Sequence, residues 1–286
     1  MRADAIFGPN GTEADLAPFR RPGIDLTRTT EVSMNTVADA ALIFGGDGTI
    51  HRHLPSLHQT QIPVLVVPVG SGNDFANAMG WGTTGLALAA WQRFCTRGDN
   101  LRRIDLGLIA PLTPGTATAR TYYCCVAGAG LDSDVNRRAN QQPRWLRSRG
   151  GYIAALAPAL AAFRPTRVKV SLRDAQINED AMLVACANAP SYGGGMRIAP
   201  RADLADGKLD VCFVRRTGKL RLLRLFPKVF SGTHLGLPEV EYLQTDWLRI
   251  EGERPLDIYA DGEYVCTTPA EVTVVPQALR VIAPSG

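Results

Sequence analysis

The residues best suited to chemistry in this 286-residue chain sit in two glycine-rich turns. The first, Gly45-Gly46-Asp47-Gly48-Thr49, follows the apolar run Ala41–Phe44. Glycines let a backbone come close to a phosphate and aim its N–H groups at it. Thr49 stands at the start of the next helix, where the helix dipole favours an anion. Asp47 is the odd member, because a carboxylate among anion-holding amides calls for a metal ion or a ligand hydroxyl beside it. The same five residues fit a tight strand–helix turn with Asp47 as its cap equally well. The second turn runs from Pro68 to Ala76, with Gly70, Ser71 and Gly72 at its tip and Asn73 and Asp74 at the following helix start. In open α/β sheets ligands bind at the carboxyl ends of the strands, so two such turns share one edge. Together they point to a nucleotide site. Neither the dinucleotide pattern G-x-G-x-x-G nor the Walker pattern G-x-x-x-x-G-K-[ST] occurs.

Two Asp-Gly pairs lie further along, Asp206-Gly207-Lys208 and Asp261-Gly262-Glu263, both next to β-rich text where Asp-Gly is a hairpin signal. His51 and His53, two apart, fall on different faces of a helix and read as solvent-exposed, not as a metal pair. His58 and His234 have no evident partner. The six cysteines (95, 124, 125, 186, 212 and 266) form no CxxC pair, and most sit in apolar runs, which reads as buried reduced thiols.

The elements that must position these residues change character along the chain. ALIFGGDGT and IPVLVVPVGSGNDFANAMG are apolar strands ending in glycine turns, with helix-compatible text at Ile50–His58, Asp74–Met79 and Thr84–Arg97. Strand, turn and helix in alternation predict a parallel α/β sheet. From about residue 104 short β-rich runs follow one another: RRIDLGLIA, RTYYCCVAG, TRVKVSL, AMLVACANA, KLDVCFV, WLRIEG, LDIYADG, AEVTVVP and LRVIAP. Many short strands at close spacing predict a sandwich or barrel. Helices are expected near Trp145–Phe163 and Lys219–Phe230.

Composition sets the class. Hydrophobic residues make up 45% and charged residues 20%, values of a core-forming protein. Thirty-one Lys and Arg against 27 Asp and Glu leave a net charge of +4, too small a surplus to imply nucleic acid. The apolar stretch near Met1 is too short for a signal peptide. The longest mostly apolar stretch, Tyr152–Phe163, contains Pro158 and falls short of the roughly 20 residues a membrane-spanning helix needs. The basic, acid-free segments around Arg137–Arg149 and Arg215–Lys228 fit either a solvated helix face or a face that rests on anionic lipid.

GGDGT followed by PVGSGNDFANAMG is similar to the diacylglycerol kinase catalytic-domain family, which includes bacterial lipid kinases and sphingosine and ceramide kinases. The resemblance continues in order through AGAGLDSDV (127–135), SYGGGMRIAPRADLADGKLDVCFV (191–214), DGEYV (261–265) and VPQALRVIAP (275–284). GGDGT is shared with NAD kinases, and GSGNDFA and the YGGGM…DGKLDV segment favour the lipid-kinase branch.

The resemblance implies an α/β Rossmann-like nucleotide domain over 1–107, a C-terminal β-sandwich over 108–276, a last strand (about 277–286) packing back on the first, and ATP in the cleft between the domains. It implies transfer of the γ-phosphoryl of ATP to a lipid hydroxyl. By motif match, Gly45, Gly46, Asp47, Gly48, Thr49, Ser71 and Gly72 face the phosphates, and Asn73 and Asp74 organise the site. Asp47, Asp74 and Asp105 match acids of an Mg²⁺–aspartate–water network. The base falls on Glu263 or Asp261, with Glu263 preferred. Asp206, with the carbonyls of Asp203 and Lys208, matches a structural Mg²⁺ site. The implied partner is a lipid substrate at the membrane surface and not nucleic acid. The implied location is cytoplasmic, peripheral at the inner membrane surface, with a role in phospholipid biosynthesis. A homodimer is left open. The competing readings are an NAD kinase-like enzyme and a nucleotide-binding regulatory protein without turnover. The sequence departs from the family at Gly8-Pro9-Asn10-Gly11, where Asn-Pro-x-x-Gly is usual. It departs again at Ile50-His51-Arg52 after GGDGT, and at Cys125, where an Asn is usual.

Overall fold

A computed structural model describes residues 1–32, 38–112, 120–142 and 151–284, with 151–153 described by backbone alone. The chain divides into two compact units, Met1–Leu106 with Pro276–Gly286, and Gly107–Val275.

The first unit is built on strands β1 (Arg2–Phe7), β2 (Asp25–Thr29), β3 (Ala40–Gly45) and β4 (Val64–Pro68), which pair in parallel in the order β2-β1-β3-β4. All six residues of β3 are buried, as are the first four of β4. Such unbroken apolar runs are what a parallel sheet covered on both faces requires. The helices are α1 (Glu13–Leu16), α2 (Asp47–Thr60), α3 (Asp74–Ala78) and α4 (Thr84–Arg97). In α2, Ile50, His53, Leu54 and Leu57 form the buried stripe. In α4 the Thr83 hydroxyl caps the start by accepting from the Leu86 N–H, and Gly98 ends the helix at φ 65°. Its buried Trp91 donates from Nε1 to the carbonyl of Phe19 at 2.8 Å. The chain's closing strand, Ala270–Ile282, adds Val281 in parallel register with Val64.

The second unit is antiparallel. Its strands are β5 (Leu101–Pro111, from Gly107 on), β6 (Thr121–Tyr123), β7 (Val126–Gly130), β8 (Thr166–Leu172), β9 (Gln176–Ala187), β10 (Leu209–Arg215), β11 (Val240–Thr245), β12 (Trp247–Gly252), β13 (Asp257–Ala260), β14 (Glu263–Thr267) and the first half of β15 (Ala270–Ile282). The path β14-β13-β7-β9-β8-β12-β15 is extended by β10, which pairs with β9 and β11. Val168, Val184, Val211, Phe213, Leu248, Ile258 and Val272 meet in its core. The helices here are α5 (Leu131–Gln141) and the segments Gly151–Ala162, Lys219–Leu225 and Pro227–Ser231.

Several sequence expectations change in detail. RTYYCCVAG is not one strand. It breaks at Cys124-Cys125 because the N–H groups there go to the Asp261 carboxylate. AEVTVVP and LRVIAP are one strand, which turns at Gln277 with φ 52°. The helix expected over Lys219–Phe230 is two, divided at Pro227, which has no N–H to continue the ladder. Of the helix expected near Trp145–Phe163, residues 143–150 lie outside the described residues. So do Arg144, Arg147 and Arg149 of the first basic segment.

His53 is buried, not exposed, and burial, seconded by the Arg52 charge against an opposing Glu31, holds its imidazole below the ordinary range. His234 is also buried and also lowered by burial, against the carbonyls of Ile198 and Lys228. Below the ordinary histidine pKa of 6.5 the unfolded chain therefore takes up protons that the folded chain refuses. The sign is definite: this contribution is level above about pH 6.5, and stability is lost as pH falls from there toward the folded-state values. Chemical denaturation between pH 7 and 5 should show that slope, at most about 1.4 kcal/mol per pH unit for each histidine. His53→Gln/His234→Gln should flatten it; a double variant with the wild-type slope would refute the assignment.

Candidate active site

The two glycine turns are one structure. Asp47 belongs to the first turn, yet its carboxylate accepts the N–H groups of Asp74 (3.0 Å) and Phe75 (2.9 Å) in the second. It thus caps the start of α3, where helix N–H groups lack partners of their own. Gly46 and Gly70 lie back to back, and a Cβ on Gly70 would stand 2.6 Å from the Gly46 Cα. Asn73 holds the tip: at φ 54° it donates to the Gly70 carbonyl (2.8 Å) and accepts the Gly70 N–H (3.1 Å). Asparagine tolerates this left-handed conformation better than most residues.

The sequence-predicted phosphate contacts separate by exposure. Ser71 is exposed at the tip and Gly72 half-buried, whereas Thr49 is buried. The Thr49 hydroxyl lies where a Cβ on Gly8 or Gly45 would come within 2.5 Å of it. The Gly8-Pro9-Asn10-Gly11 segment packs on the same turn, with the Gly8 N–H donating to the Phe44 carbonyl. Gly48 is half-buried at the start of α2. Asp47 and Asp74 converge on Gly72: a Cβ there would meet Asp47 Oδ2 at 3.0 Å and Asp74 Oδ2 at 3.6 Å. Asp105 is buried in β5 and accepts the N–H of Gln277 at 2.7 Å, which secures the left-handed residue in β15. The three acids do not form a cluster with ligand atoms within 4.8 Å of one another.

In the second unit Asp261 and Glu263 have separate environments. Asp261, at φ 49°, accepts the N–H groups of Cys124 (2.9 Å), Cys125 (2.9 Å) and Val126 (3.2 Å). Its carboxylate thereby replaces the sheet pairing that Cys124 and Cys125 lack. Glu263 opens β14 and is exposed. Among the described residues, one group of three metal-ligating side chains lies within 4.8 Å, and it is Cys124, Cys125 and Asp261. Asp203 and Asp206 are exposed and shape their own turns, accepting the N–H groups of Ala205 and Lys208 at 3.0 and 2.9 Å.

Residues 2–109 match the family model of the diacylglycerol kinase catalytic domain, and residues 125–283 that of the YegS C-terminal NAD kinase beta sandwich-like domain. A diacylglycerol kinase of Mycobacterium tuberculosis is 36% identical over 253 residues, which is 86% of this chain and 77% of that protein. The chain belongs to the diacylglycerol kinase family of lipid kinases. A diacylglycerol kinase of Bacillus subtilis is 23% identical over 91% of this chain and 82% of its own. Among solved structures, a diacylglycerol kinase from Bacillus anthracis superposes with a TM-score of 0.71, covering 99% of this chain and 96% of that one at 17% identity. An NAD kinase from Archaeoglobus fulgidus in complex with ATP gives 0.53, covering 100% and 92% at 12% identity. At these identities the structural likeness speaks for the fold alone.

One feature of this lipid kinase had no signal in the motifs. The second unit holds a partly open apolar cavity of about 80 Å³, walled by Leu131, Leu156, Leu160, Met182, Leu222 and Phe226 among others. Asp132 and Tyr192 stand in its wall, with the Tyr192 hydroxyl donating to Asp132 Oδ1 at 2.6 Å. Asn136 donates to the other oxygen at 3.2 Å, and a Cβ on Gly128 would collide with that oxygen at 2.2 Å. The glycine-Asp segment thus makes room for a buried carboxylate.

The two carboxylates of the Asp-Gly-Glu motif should respond differently to amide substitution. Asp261→Asn places a donor against three N–H groups and should cost about 2–4 kcal/mol of stability, seen in chemical denaturation and in faster amide exchange at 124–126. Glu263→Gln should stay within about 0.5 kcal/mol of wild type. Equal losses in both would overturn this division of roles.

Proposed function

We propose that this kinase transfers the γ-phosphoryl group of ATP, with Mg²⁺, to the hydroxyl of a diacylglycerol-type lipid. The observation that carries the acceptor class is the apolar cavity of the second unit, whose walls suit an acyl chain and offer little to a nucleotide or sugar. The observation that carries the donor is the paired glycine turn at the carboxyl edge of the parallel sheet.

In this reading Gly45, Gly46, Gly48 and Gly72 bring backbone close to the phosphates, and the exposed Ser71 hydroxyl donates to them. Thr49, being buried, supports the turn. Asp47 and Asp74 would hold the metal, since their oxygens converge beside Gly72, and oxygen donors suit a hard cation. Bound there, Mg²⁺ offsets the charge that develops on the transferred phosphoryl oxygens. Asn73 keeps the tip in place. Asp105 acts at a distance, by fixing the backbone at Gln277. Glu263 takes the proton of the lipid hydroxyl, and its exposure leaves it open to an acceptor. Asp261 positions the backbone around it through its three accepted bonds. Asp206, with the carbonyls of Asp203 and Lys208, would carry a structural cation that braces the turn before β10; backbone carbonyls and carboxylates are the donor set such an ion takes. The work is done at the bilayer surface on the cytoplasmic side, where the product enters phospholipid synthesis.

Radiolabelled ATP offered with a lipid panel and, separately, with NAD tests the reading. Label is expected in diacylglycerol. Label in NAD alone would replace this reading with an NAD kinase, and ATP binding without transfer would replace it with a regulatory protein. Glu263→Gln should lower kcat by about 10²–10⁴ with KM for ATP little changed, the loss expected of a missing general base. A kcat near wild type would move the base elsewhere.

A further inference from the structure

The segment Lys219–Ser231 carries three of the large hydrophobic side chains that face solvent among the described residues: Leu220 (74% exposed), Leu223 (48%) and Phe230 (37%). It also supplies Leu222, Leu223, Leu225, Phe226 and Val229 to the wall of the apolar cavity. One pair of short helices therefore separates the cavity from solvent, apolar on both sides. Leu223 is on both surfaces at once, lining the cavity and standing about half exposed, which marks where the cavity meets the outside.

Volume makes this wall a door. For scale, an apolar cavity of about 150 Å³ binds one benzene. At about 80 Å³ this cavity is small for an acyl chain, which would be seated by widening it. Neither helix of the pair has a fully buried side chain, so this is the part of the wall least anchored in the core.

Charge says what lies against it. From Arg215 to Ser231 there is no acidic residue. Arg221 pairs with Glu239, and Lys219 donates to the Ala161 carbonyl. Arg224 and Lys228 have no ion pair among the described residues. Leucine and phenylalanine interleaved with uncommitted cations match a bilayer with anionic headgroups, where the rings and aliphatic chains enter the acyl boundary and the cations meet phosphate.

We infer that the helix pair Lys219–Ser231 is the membrane-docking face of the enzyme and the door through which an acyl chain passes from an anionic bilayer into the cavity. The inference rests on the lipid-kinase reading for its acceptor, but the docking itself does not. The test compares wild type with Leu220→Glu and with Arg224→Glu/Lys228→Glu. None of these positions lines the cavity, and circular dichroism checks that all three fold. Wild type should co-sediment with vesicles of phosphatidylglycerol and phosphatidylcholine, more weakly as salt rises. Leu220→Glu should bind about tenfold or more weakly at any salt. The double charge variant should lose the dependence on phosphatidylglycerol. On diacylglycerol embedded in those vesicles each variant should lose activity in step with binding, while on dispersed dihexanoylglycerol each should stay within about twofold of wild type.

Wild type that does not sediment, or variants that sediment as wild type does, would overturn the inference. So would a dimer that Leu220→Glu converts to monomer with vesicle binding unchanged, since the face would then belong to a second copy. Sedimentation through this face without phosphate transfer to any lipid would leave the docking standing and remove the lipid-kinase reading. Transfer from ATP to vesicle diacylglycerol that ignores Leu220→Glu would do the reverse.

Discussion

A single carboxylate joins the two glycine turns. Asp47 leaves the end of β3 and accepts two N–H groups at the start of α3, 27 and 28 residues on. Charge-assisted bonds of this kind are worth about 1.5–3 kcal/mol each, and without them two helix N–H groups would stand unmatched in a half-buried turn. Gly46 and Gly70 let the turns approach closely, and the turns cannot part without opening that cap. Asn73 can adopt its left-handed conformation because the loop it closes is already held from the other side. The exposed Ser71 and the convergence of Asp47 with Asp74 beside Gly72 both follow from this one bond pattern.

Asp261 performs the corresponding service in the second unit. There a carboxylate substitutes for a strand: Cys124 and Cys125 lie between β6 and β7 and give their N–H groups to it. Buried N–H groups need partners, and the adjacent ladder supplies none at these two residues. The break in the sheet and the left-handed backbone at Asp261 are two sides of one arrangement. Glu263 follows two residues later, at the first position of β14, paired with Ala260 of β13.

The fold was legible where burial is purely apolar. β3, β4, β8 and β12 announced themselves through unbroken or alternating apolar runs, and α4 through the amphipathic text Thr84–Arg97. The reading failed where polar side chains are buried or apolar ones exposed. Helix Leu131–Gln141 buries Asp132, Ser133 and Asn136 together with Leu131 and Val135, so its inward face does not look apolar. His53 was misplaced for the same reason, although Ile50, Leu54 and Leu57 mark the face it shares. β11 is mostly half-buried and gave too weak an alternation to be seen. Of the site, the two turns and the Asp-Gly-Glu motif were visible as residue types. Invisible were the partners, which are backbone groups far along the chain: Phe75 for Asp47, Cys125 for Asp261, Gln277 for Asp105.

The glycine motifs also say less about substrate than their density invites. Gly8, Gly45, Gly46 and Gly70 are required by protein atoms, because a Cβ at any of them would meet another residue at 3.2 Å or less. A constraint of that kind belongs to the packing of the sheet edge, and any enzyme built on the same edge inherits it whatever it phosphorylates. In the proposed reading, acceptor choice is written where the packing leaves freedom, and in the second unit that place would be the cavity. Among the residues of its wall, Asp132 is a buried carboxylate in largely apolar surroundings, where an unpaired charge would be strongly destabilising. Tyr192 and Asn136 hold that carboxyl group in place, and Gly128 clears the volume it occupies. A polar pair fixed in a mostly apolar chamber gives that stretch of wall a hydrogen-bonding character that the leucines around it lack.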